Sequence, residues 1–120
     1  MEREVTEGEF VQLLRQGQRV FNRICIEEGA YRGFDLTNLT FNACILSVDF
    51  SGSNFQDTRF IECNLKSCDF SYCNFTRARM QGNALDGAIF KGAHVKGITF
   101  SENTYHSVTI TESHLSEMLL

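Results

Sequence analysis

Large apolar residues recur at every fifth position through most of this chain. From Ile45 to Leu115, each fifth residue is Phe, Ile, Leu, Met, Val or Tyr. The fifteen members of this series are Ile45, Phe50, Phe55, Phe60, Leu65, Phe70, Phe75, Met80, Leu85, Phe90, Val95, Phe100, Tyr105, Ile110 and Leu115. A period of five matches neither the turn of an α-helix nor the alternation of a β-strand. The pattern therefore predicts a chain that turns a corner every five residues.

A second series, of mostly small residues, lies two positions before each large one. Twelve of its fifteen members are Ala, Ser, Thr, Cys or Val, and the exceptions are Asn83, Ile98 and Asn103. The position between the two series is mostly polar, and the two positions after the large residue are mostly polar or Gly. Each five-residue unit is thus expected to point one small and one large side chain inward.

Four such units close a roughly square coil of about twenty residues, and successive coils stack through parallel backbone hydrogen bonds. Large residues twenty positions apart then form columns in the interior. The expected columns are Phe50, Phe70, Phe90 and Ile110; Phe55, Phe75, Val95 and Leu115; and Phe60, Met80 and Phe100. Stacked Phe rings that alternate with small residues fill a narrow interior without voids.

An earlier stretch follows the same rule in a different phase. Its large residues are Phe21, Ile26, Tyr31, Leu36 and Phe41. One residue is missing between Phe41 and Ile45, and we interpret this place as a short corner or a local irregularity of the coil.

Glycines occupy the last place of four successive units, a whole coil. These are Gly82, Gly87, Gly92 and Gly97. A tight corner often needs a positive φ, which glycine adopts without a steric penalty. We therefore expect these four residues to form the corners of one coil.

The two ends of the solenoid need covers. Thr6-Glu7-Gly8-Glu9 has the form of a capping box, and apolar residues follow it at helical spacing as far as Leu14. We predict a short capping helix within residues 1–18, repeats over residues 19–117, and a tail or cap at residues 118–120. At the C-terminal end the sequence leaves two alternatives. Leu115, Met118 and Leu119 suit one helical turn, whereas Leu115 and Leu120 keep the five-residue rhythm.

The composition argues against some classes of function. The chain has 11 Phe, no Trp and no Pro, and its net charge is −4. An acidic balance argues against direct nucleic-acid binding, which usually needs a basic patch. Neither a signal peptide nor a membrane-spanning apolar segment is visible, so we expect a soluble, cytoplasmic protein without membrane contact.

The five cysteines are expected to be packing residues. Their number is odd, no secretion signal is visible, and their spacing lacks the close pairs typical of zinc sites. Cys63, Cys68 and Cys73 fall in the small inward position of three successive units. We therefore expect no metal and no cofactor.

The repeat units resemble those of pentapeptide-repeat proteins. That family has the consensus A-(D/N)-L-x-x, and the best matches here are Ala88-Ile89-Phe90-Lys91-Gly92 and Cys73-Asn74-Phe75-Thr76-Arg77. The resemblance covers roughly residues 19–117. It implies an all-β fold, a right-handed quadrilateral parallel β-helix of about five coils, here with the short N-terminal helix. It also implies a bacterial protein, and a homodimer through the C-terminal end is an open alternative.

No catalytic constellation is visible, so we expect a non-enzymatic protein-interaction module whose partner is unknown. The structural core is assigned to Phe50, Phe55, Phe60, Phe70, Phe75, Phe90, Phe100, Cys63, Cys68 and Cys73. The candidate partner-binding residues are Asp49, Asp69, Arg59 and Arg79. The simpler interpretation of these charged rows is a solvated face.

The alternative function comes from the same resemblance. Some pentapeptide-repeat proteins of the quinolone-resistance type imitate DNA and bind DNA gyrase or a related topoisomerase. In this chain the rows that would imitate phosphates are interrupted by Arg59, Arg77, Arg79, Lys91 and Lys96. The interaction module is therefore the first hypothesis and the gyrase binder the second.

Overall fold

Backbone pairing between residues about twenty positions apart builds the molecule. The computed structural model describes residues 2–120. Its elements in chain order are β1 (Arg3–Glu4), α1 (Glu7–Arg15), β2 (Val20–Asn22), β3 (Ile24–Ile26), β4 (Thr40–Asn42), β5 (Ile45–Leu46), β6 (Arg59–Ile61), β7 (Arg79–Gln81), β8 (Thr99–Ser101), β9 (Asn103–Tyr105), β10 (Val108–Ile110) and α2 (Glu112–Met118). Together they form a β-solenoid of about five turns, which confirms the predicted fold class.

One side of the solenoid is a continuous parallel sheet. Its strand order is β2-β4-β6-β7-β8, so each coil adds one strand. The central residue of each strand points inward, and the register places Phe41 beside Phe60, Phe60 beside Met80, and Met80 beside Phe100. Phe41 and Phe60 stack at 5.1 Å between ring centroids.

The other three sides are held mainly by single parallel bridges between short extended segments. Such bridges join Asp49 to Asp69 and Asn54 to Asn74. Rings stack inside these sides as well, since Phe50 lies 5.8 Å from Phe70, and Phe70 lies 5.2 Å from Phe90. The columns of large residues thus follow the five-residue period within the coils. The prediction that Ile110 and Leu115 continue two of these columns as coil residues is wrong, because Ile110 lies in the antiparallel strand β10 and Leu115 in α2.

The corners depend on left-handed backbone conformations. The four corner glycines have φ between 68° and 72°, as their spacing predicts. In other coils the same corner position is taken by residues with side chains, such as Ser67 at φ 64° and Tyr72 at φ 58°. Conformations of this kind cost a residue with a side chain roughly 1–2 kcal/mol. The parallel hydrogen bonds between coils must therefore stabilise these corner conformations.

The predicted position of the phase slip is wrong. Leu46 is completely buried and follows Phe41 by five residues, whereas Ile45 is half-buried. Ala43, which the sequence assigned to an inward position, is a left-handed corner with φ 52°. The missing residue therefore lies between Leu46 and Phe50. That corner differs from its neighbours because Val48 is buried and has no positive φ.

The N-terminal helix forms and covers the first coil. Thr6 and Glu9 make the expected capping box, and α1 ends at Arg15. The Phe10 side chain is completely buried. Its ring lies 5.2 Å from that of Phe21 and 5.4 Å from that of Tyr31. In front of the helix, β1 pairs with β3 and adds a short strand to the first coil.

At the C-terminal end the backbone leaves the coil after Thr104, the last residue that bridges the preceding coil in parallel. Strands β9 and β10 pair antiparallel around a two-residue turn at His106 and Ser107, both with positive φ. Two left-handed residues are typical of the tight turns that suit the twist of hairpins. Helix α2 begins at Glu112, inside the range expected to continue the repeats. Leu115 is buried, and the Leu119 carbonyl accepts a hydrogen bond from the Gly92 N–H at 2.8 Å. The sequence allowed either a helical turn or a continued five-residue rhythm at this end, and the structure has the helical turn.

Candidate protein-binding surface

On three sides of the solenoid, an Asp or Asn directly before a large residue has a role in the fold. Its side-chain oxygen accepts a hydrogen bond from the backbone N–H two residues later, as for Asp49 with Ser51 and Asp69 with Ser71, both at 2.9 Å. Local bonds of this kind are typical of Asp and Asn at turns. The residues that make this bond are Asp35, Asp49, Asn54, Asn64, Asp69 and Asn74. These side chains are therefore structural.

The continuous sheet β2-β4-β6-β7-β8 uses its outward side chains differently. Each strand pairs along all three residues, so the residue after the large one takes part in the ladder, as Ile61 does with Gln81. The outward residue before the large one therefore makes no turn hydrogen bond to the N–H two residues later. We call the outer side of these five strands the sheet face. Its side chains stand in rows at the strand spacing of about 4.8 Å.

Arg59 and Arg79 occupy one of these rows. They lie directly beside each other in register on β6 and β7, and both are exposed. Their backbones are fixed, since the Arg59 N–H donates to the Leu39 carbonyl and the Arg79 N–H to the Thr58 carbonyl, each at 2.9 Å. Within residues 2–120 neither arginine forms an ion pair. Like charges placed side by side on adjacent strands destabilise a sheet.

A shallow groove runs along the edge of the sheet face beside these arginines. We call it the arginine groove, and it is lined by Asn38, Asp57, Arg59, Arg77, Arg79 and Thr99. Arg77 lies at a corner and holds Asp57 with two bonds, Nε to Oδ1 at 2.9 Å and Nη2 to Oδ2 at 3.1 Å. This pairing raises the pKa of Arg77 and keeps its side chain along the groove. The one carboxylate of the groove is thus already bound.

Asp49 and Asp69, the other two candidate residues, lie on a different side from the arginines. They neighbour each other across a parallel bridge. Asp49 also accepts a bond from Arg32 Nε at 2.6 Å. The Ser51 N–H, together with Arg32, holds the pKa of the Asp49 carboxyl below its usual range. The four candidate residues therefore form two separate surfaces, and one of them has a role in the fold.

The residues assigned to the core all lie inside. The Phe side chains are between 0% and 6% exposed, and the three cysteines are between 0% and 2% exposed. The thiol of each of these cysteines lies near a backbone carbonyl, as Cys68 Sγ does to Leu46 O at 2.9 Å. Burial raises the pKa of Cys68 and of Cys73 to about 12, so these thiols stay protonated at neutral pH.

Two of the three exceptions in the series of small inward residues have a structural explanation. Asn83 and Asn103 are buried in the small inward position of adjacent coils. Asn83 Nδ2 donates to the Phe60 carbonyl and Asn103 Nδ2 donates to the Met80 carbonyl, each at 2.9 Å. Because these amides satisfy their polar groups within the ladder, they replace a small apolar residue without an unpaired buried group.

The histidines do not come together. His94 follows Asn74 in an outward row. His114, twenty residues later, does not continue this row, because it lies in α2, where its Nδ1 accepts a bond from the Thr111 N–H at 3.0 Å. His106 pairs with Asp86 at 3.6 Å. Across residues 2–120, His, Cys, Asp and Glu form no group arranged to hold a metal ion.

An acidic cleft beside the N-terminal helix was not anticipated from the sequence. It is lined by Glu4, Val5, Thr6, Glu7, Cys25, Glu27, Glu28 and Gly29. Cys25 Sγ donates to Glu27 Oε1 at 3.1 Å, and burial with this contact raises the pKa of the thiol to about 11. The cleft arises because β1 brings residues from the start of the chain beside β3. No helix in the described part of the chain is long and apolar enough to cross a membrane.

Comparison with known protein families agrees with this architecture. Residues 34–110 match the profile of a family described as "Pentapeptide repeat region". Among curated sequences no protein matches the chain. The solved structure of alr5209, a pentapeptide repeat protein from Nostoc Pcc 7120, is 17% identical, with a TM-score of 0.42, over 88% of this chain and 98% of that one.

Two trypsin-treated variants of QnrB1, described as a plasmid-mediated fluoroquinolone resistance protein, are also similar in structure. One is 13% identical with a TM-score of 0.29, over 99% of this chain and 96% of that one. The other is 14% identical with a TM-score of 0.30, over 83% of this chain and 86% of that one.

Proposed function

Because this chain belongs to the pentapeptide repeat family, we propose that it is a non-enzymatic interaction module that presents the sheet face of its solenoid to a protein partner. One observation carries the proposal. The sheet face displays rows of side chains that are free of turn hydrogen bonds, on strands whose spacing is fixed by parallel pairing. The backbone that carries these side chains is already ordered, so binding does not have to order the main chain, and this favours recognition.

The interior supports the same proposal. The Phe columns fill it, and rings such as Phe55 and Phe75 stack at 5.3 Å. A small-molecule site is usually a deep, largely apolar cleft. In this molecule most of the large apolar side chains lie in the core, and the rows on the outside are mostly polar. Recognition then takes place on the outer surface.

Affinity capture with two matched variants tests the proposal. Thr99→Trp places a large ring on the sheet face, and His94→Trp places the same ring at the equivalent exposed position of the neighbouring side in the same coil. We expect the wild-type chain and His94→Trp to recover one protein at fixed stoichiometry from a lysate of the source cells, and Thr99→Trp to lose it. If no stoichiometric partner is recovered, or if both variants keep it equally, the proposal is wrong.

A DNA-mimicking gyrase binder is the second candidate. Its support is the family and the net charge of −4. Against it, Asp49 and Asp69 are bound in turns, and the two arginines of the sheet face form no ion pair within the described residues. The longest dimension of the molecule, caps included, is 37 Å. A gyrase supercoiling assay decides, because inhibition at micromolar protein would support the mimic and its absence would exclude it.

A homodimer through the C-terminal end is a further proposal that sizing can test. Helix α2 covers this end, but Val108 and Leu120 remain 63% and 93% exposed. Exposed apolar groups at the end of a solenoid suit contact with a second copy. Light scattering distinguishes the monomer of 13.7 kDa from a particle of twice that mass.

A further inference from the structure

The arginine groove is chemically distinct from the rest of this acidic molecule. Three arginines line it against one carboxylate, that of Asp57, and Arg77 already binds this carboxylate. Arg59 and Arg79 remain without an ionic partner in the described structure. A local positive patch on a chain of net charge −4 therefore stands out from its surroundings.

The position of the two free arginines is not required by the fold. Threonine takes the same place in the strands on either side, with Thr40 beside Arg59 and Thr99 beside Arg79. Threonine suits a strand and carries no charge, so the ladder forms without arginine there. The like-charge pair on β6 and β7 opposes stability. A charged external ligand would offset this repulsion.

We propose that the arginine groove binds an acidic segment of the partner protein, through carboxylates that pair with Arg59 and Arg79. This inference rests on the proposed function, since it names the chemistry of the partner on the same face. Arginine suits the role because its planar guanidinium donates two parallel hydrogen bonds to one carboxylate. Thr99, at the end of the row, adds an exposed hydroxyl that donates to a further oxygen.

The geometry matches an extended segment. Arg59 and Arg79 lie on adjacent strands, at a separation of about 4.8 Å along the solenoid axis. Alternate residues of an extended peptide lie on one side, about 6.6 Å apart. Long, flexible arginine side chains bridge the difference between these two spacings. Two carboxylates on alternate residues can therefore contact both guanidinium groups at once.

Protein carboxylates suit the groove better than a nucleic-acid backbone does. Glu62 and Glu102 lie at the other edge of the sheet face, and both are exposed. A phosphate backbone extends its charge well beyond a patch of this size, and it would approach these carboxylates. A short acidic segment needs only the groove.

Fluorescence anisotropy with a defined probe tests the inference. The probe is a fluorescein-labelled peptide of about twelve residues in which Glu alternates with Ser, so that carboxylates lie on one side. The matching control peptide has Gln in place of Glu. We expect saturable binding of the Glu peptide that weakens with salt, because exposed charges are screened, and no binding of the Gln peptide.

Two double variants locate the binding. Arg59→Gln with Arg79→Gln should weaken binding of the Glu peptide about tenfold or more. Lys66→Gln with Lys91→Gln removes the same charge from two exposed positions on other sides, and it should change the affinity less than about twofold. Arg59→Lys with Arg79→Lys keeps the charge but loses the bidentate geometry, so its affinity should lie between these two. Thermal melts of all variants should match or exceed that of the wild type.

Three results would overturn the inference. They are no saturable binding of the Glu peptide, equal weakening by the arginine and lysine variants, or tighter binding of a short DNA duplex that the arginine variant abolishes. Affinity capture separates this failure from that of the proposed function. If Thr99→Trp loses the captured partner while the arginine variant retains it, the function stands and the acidic-segment inference falls. If the wild-type chain captures nothing, the function itself fails.

Discussion

The rings of Phe50 and Phe70 stack in a parallel arrangement, with an interplanar angle of 9° and a centroid separation of 5.8 Å. Both side chains are completely buried. Phe70 also meets the rings of Phe55 and Phe75, at 5.9 Å and 5.3 Å, so it joins two columns of the core. The ring of Phe70 therefore packs against rings of both columns at once.

Phe70→Asp should unfold the domain, because it buries a carboxylate among these rings with no partner for its charge. The adjacent Asp69→Ala should lose only the turn hydrogen bond to the Ser71 N–H, which is worth about 1 kcal/mol. Thermal denaturation followed by circular dichroism measures both. Equal melts for the two variants would contradict the assignment of Phe70 to the interior.

Tyr31→Phe should stabilise the protein by about 1 kcal/mol, because a buried hydroxyl without a hydrogen bond carries a desolvation cost. Tyr31 is completely buried, and its hydroxyl has no partner in the described structure. Urea denaturation gives the difference in free energy of unfolding. Tyr72→Phe is the control, since the Tyr72 side chain is 60% exposed and its substitution should have little effect.

Stability should fall as pH rises above about 9, first because the pKa values of the buried thiols of Cys25, Cys68 and Cys73 are raised, and above about 10 also because of Tyr31. Burial, and to a smaller extent Glu7, raises the pKa of Tyr31 to about 12. A tyrosine in the unfolded chain ionises near pH 10, so the unfolded state gains stability between pH 10 and about 12 while the folded state does not. Tyr31→Phe should reduce the loss in this window. The raised pKa of Cys25, about 11, contributes to the loss in both proteins.

Gly87→Ala should destabilise the protein by about 1 kcal/mol, because a side chain disfavours the left-handed conformation at φ 71°. Ser67 occupies the same corner one coil earlier, at φ 64°. Ser67→Gly should therefore stabilise, by up to about 1 kcal/mol, less the entropy that glycine adds to the unfolded chain. Chemical denaturation of the pair gives the comparison, and shifts of the same sign would contradict the corner geometry.

Phe10→Ala should cost about 3–5 kcal/mol, since it removes a completely buried ring that covers the first coil. Its effect should far exceed that of Gln12→Ala, an exposed position on the same helix. Amide hydrogen exchange gives a second measurement. When the Phe10 ring no longer covers the first coil, the amides of β2 should lose protection before those of β7. Uniform loss of protection would show that the first coil has no separate stability.

The five-residue period by itself determined the solenoid. A chain with a large apolar residue at every fifth position can bury all of them only by turning a corner in each unit, and stacking then follows from backbone pairing. The same argument placed Phe50, Phe70 and Phe90 in one column. The capping box at Thr6 and Glu9 predicted the N-terminal helix, because capping depends on neighbouring residues alone.

The position of the phase slip required the structure. Ile45 and Leu46 are adjacent and equally apolar, so the pattern cannot say which of them points inward. The ladder decides, since β3 pairs with β5 in a register that places Ile26 beside Leu46. The C-terminal hairpin escaped prediction for a related reason. Ile110 and Leu115 keep the apolar rhythm although their backbone has left the coil.

The binding surface also required the structure. By sequence, Asp49, Asp69, Arg59 and Arg79 are equivalent, since all four stand one place before a large residue. The fold separates them. A carboxylate reaches the N–H two residues later only where the chain turns, whereas in a strand of three residues that N–H takes part in the ladder with a neighbouring coil. The period fixes which residues face outward. Only the backbone of each side decides which of these outward groups are left free to bind.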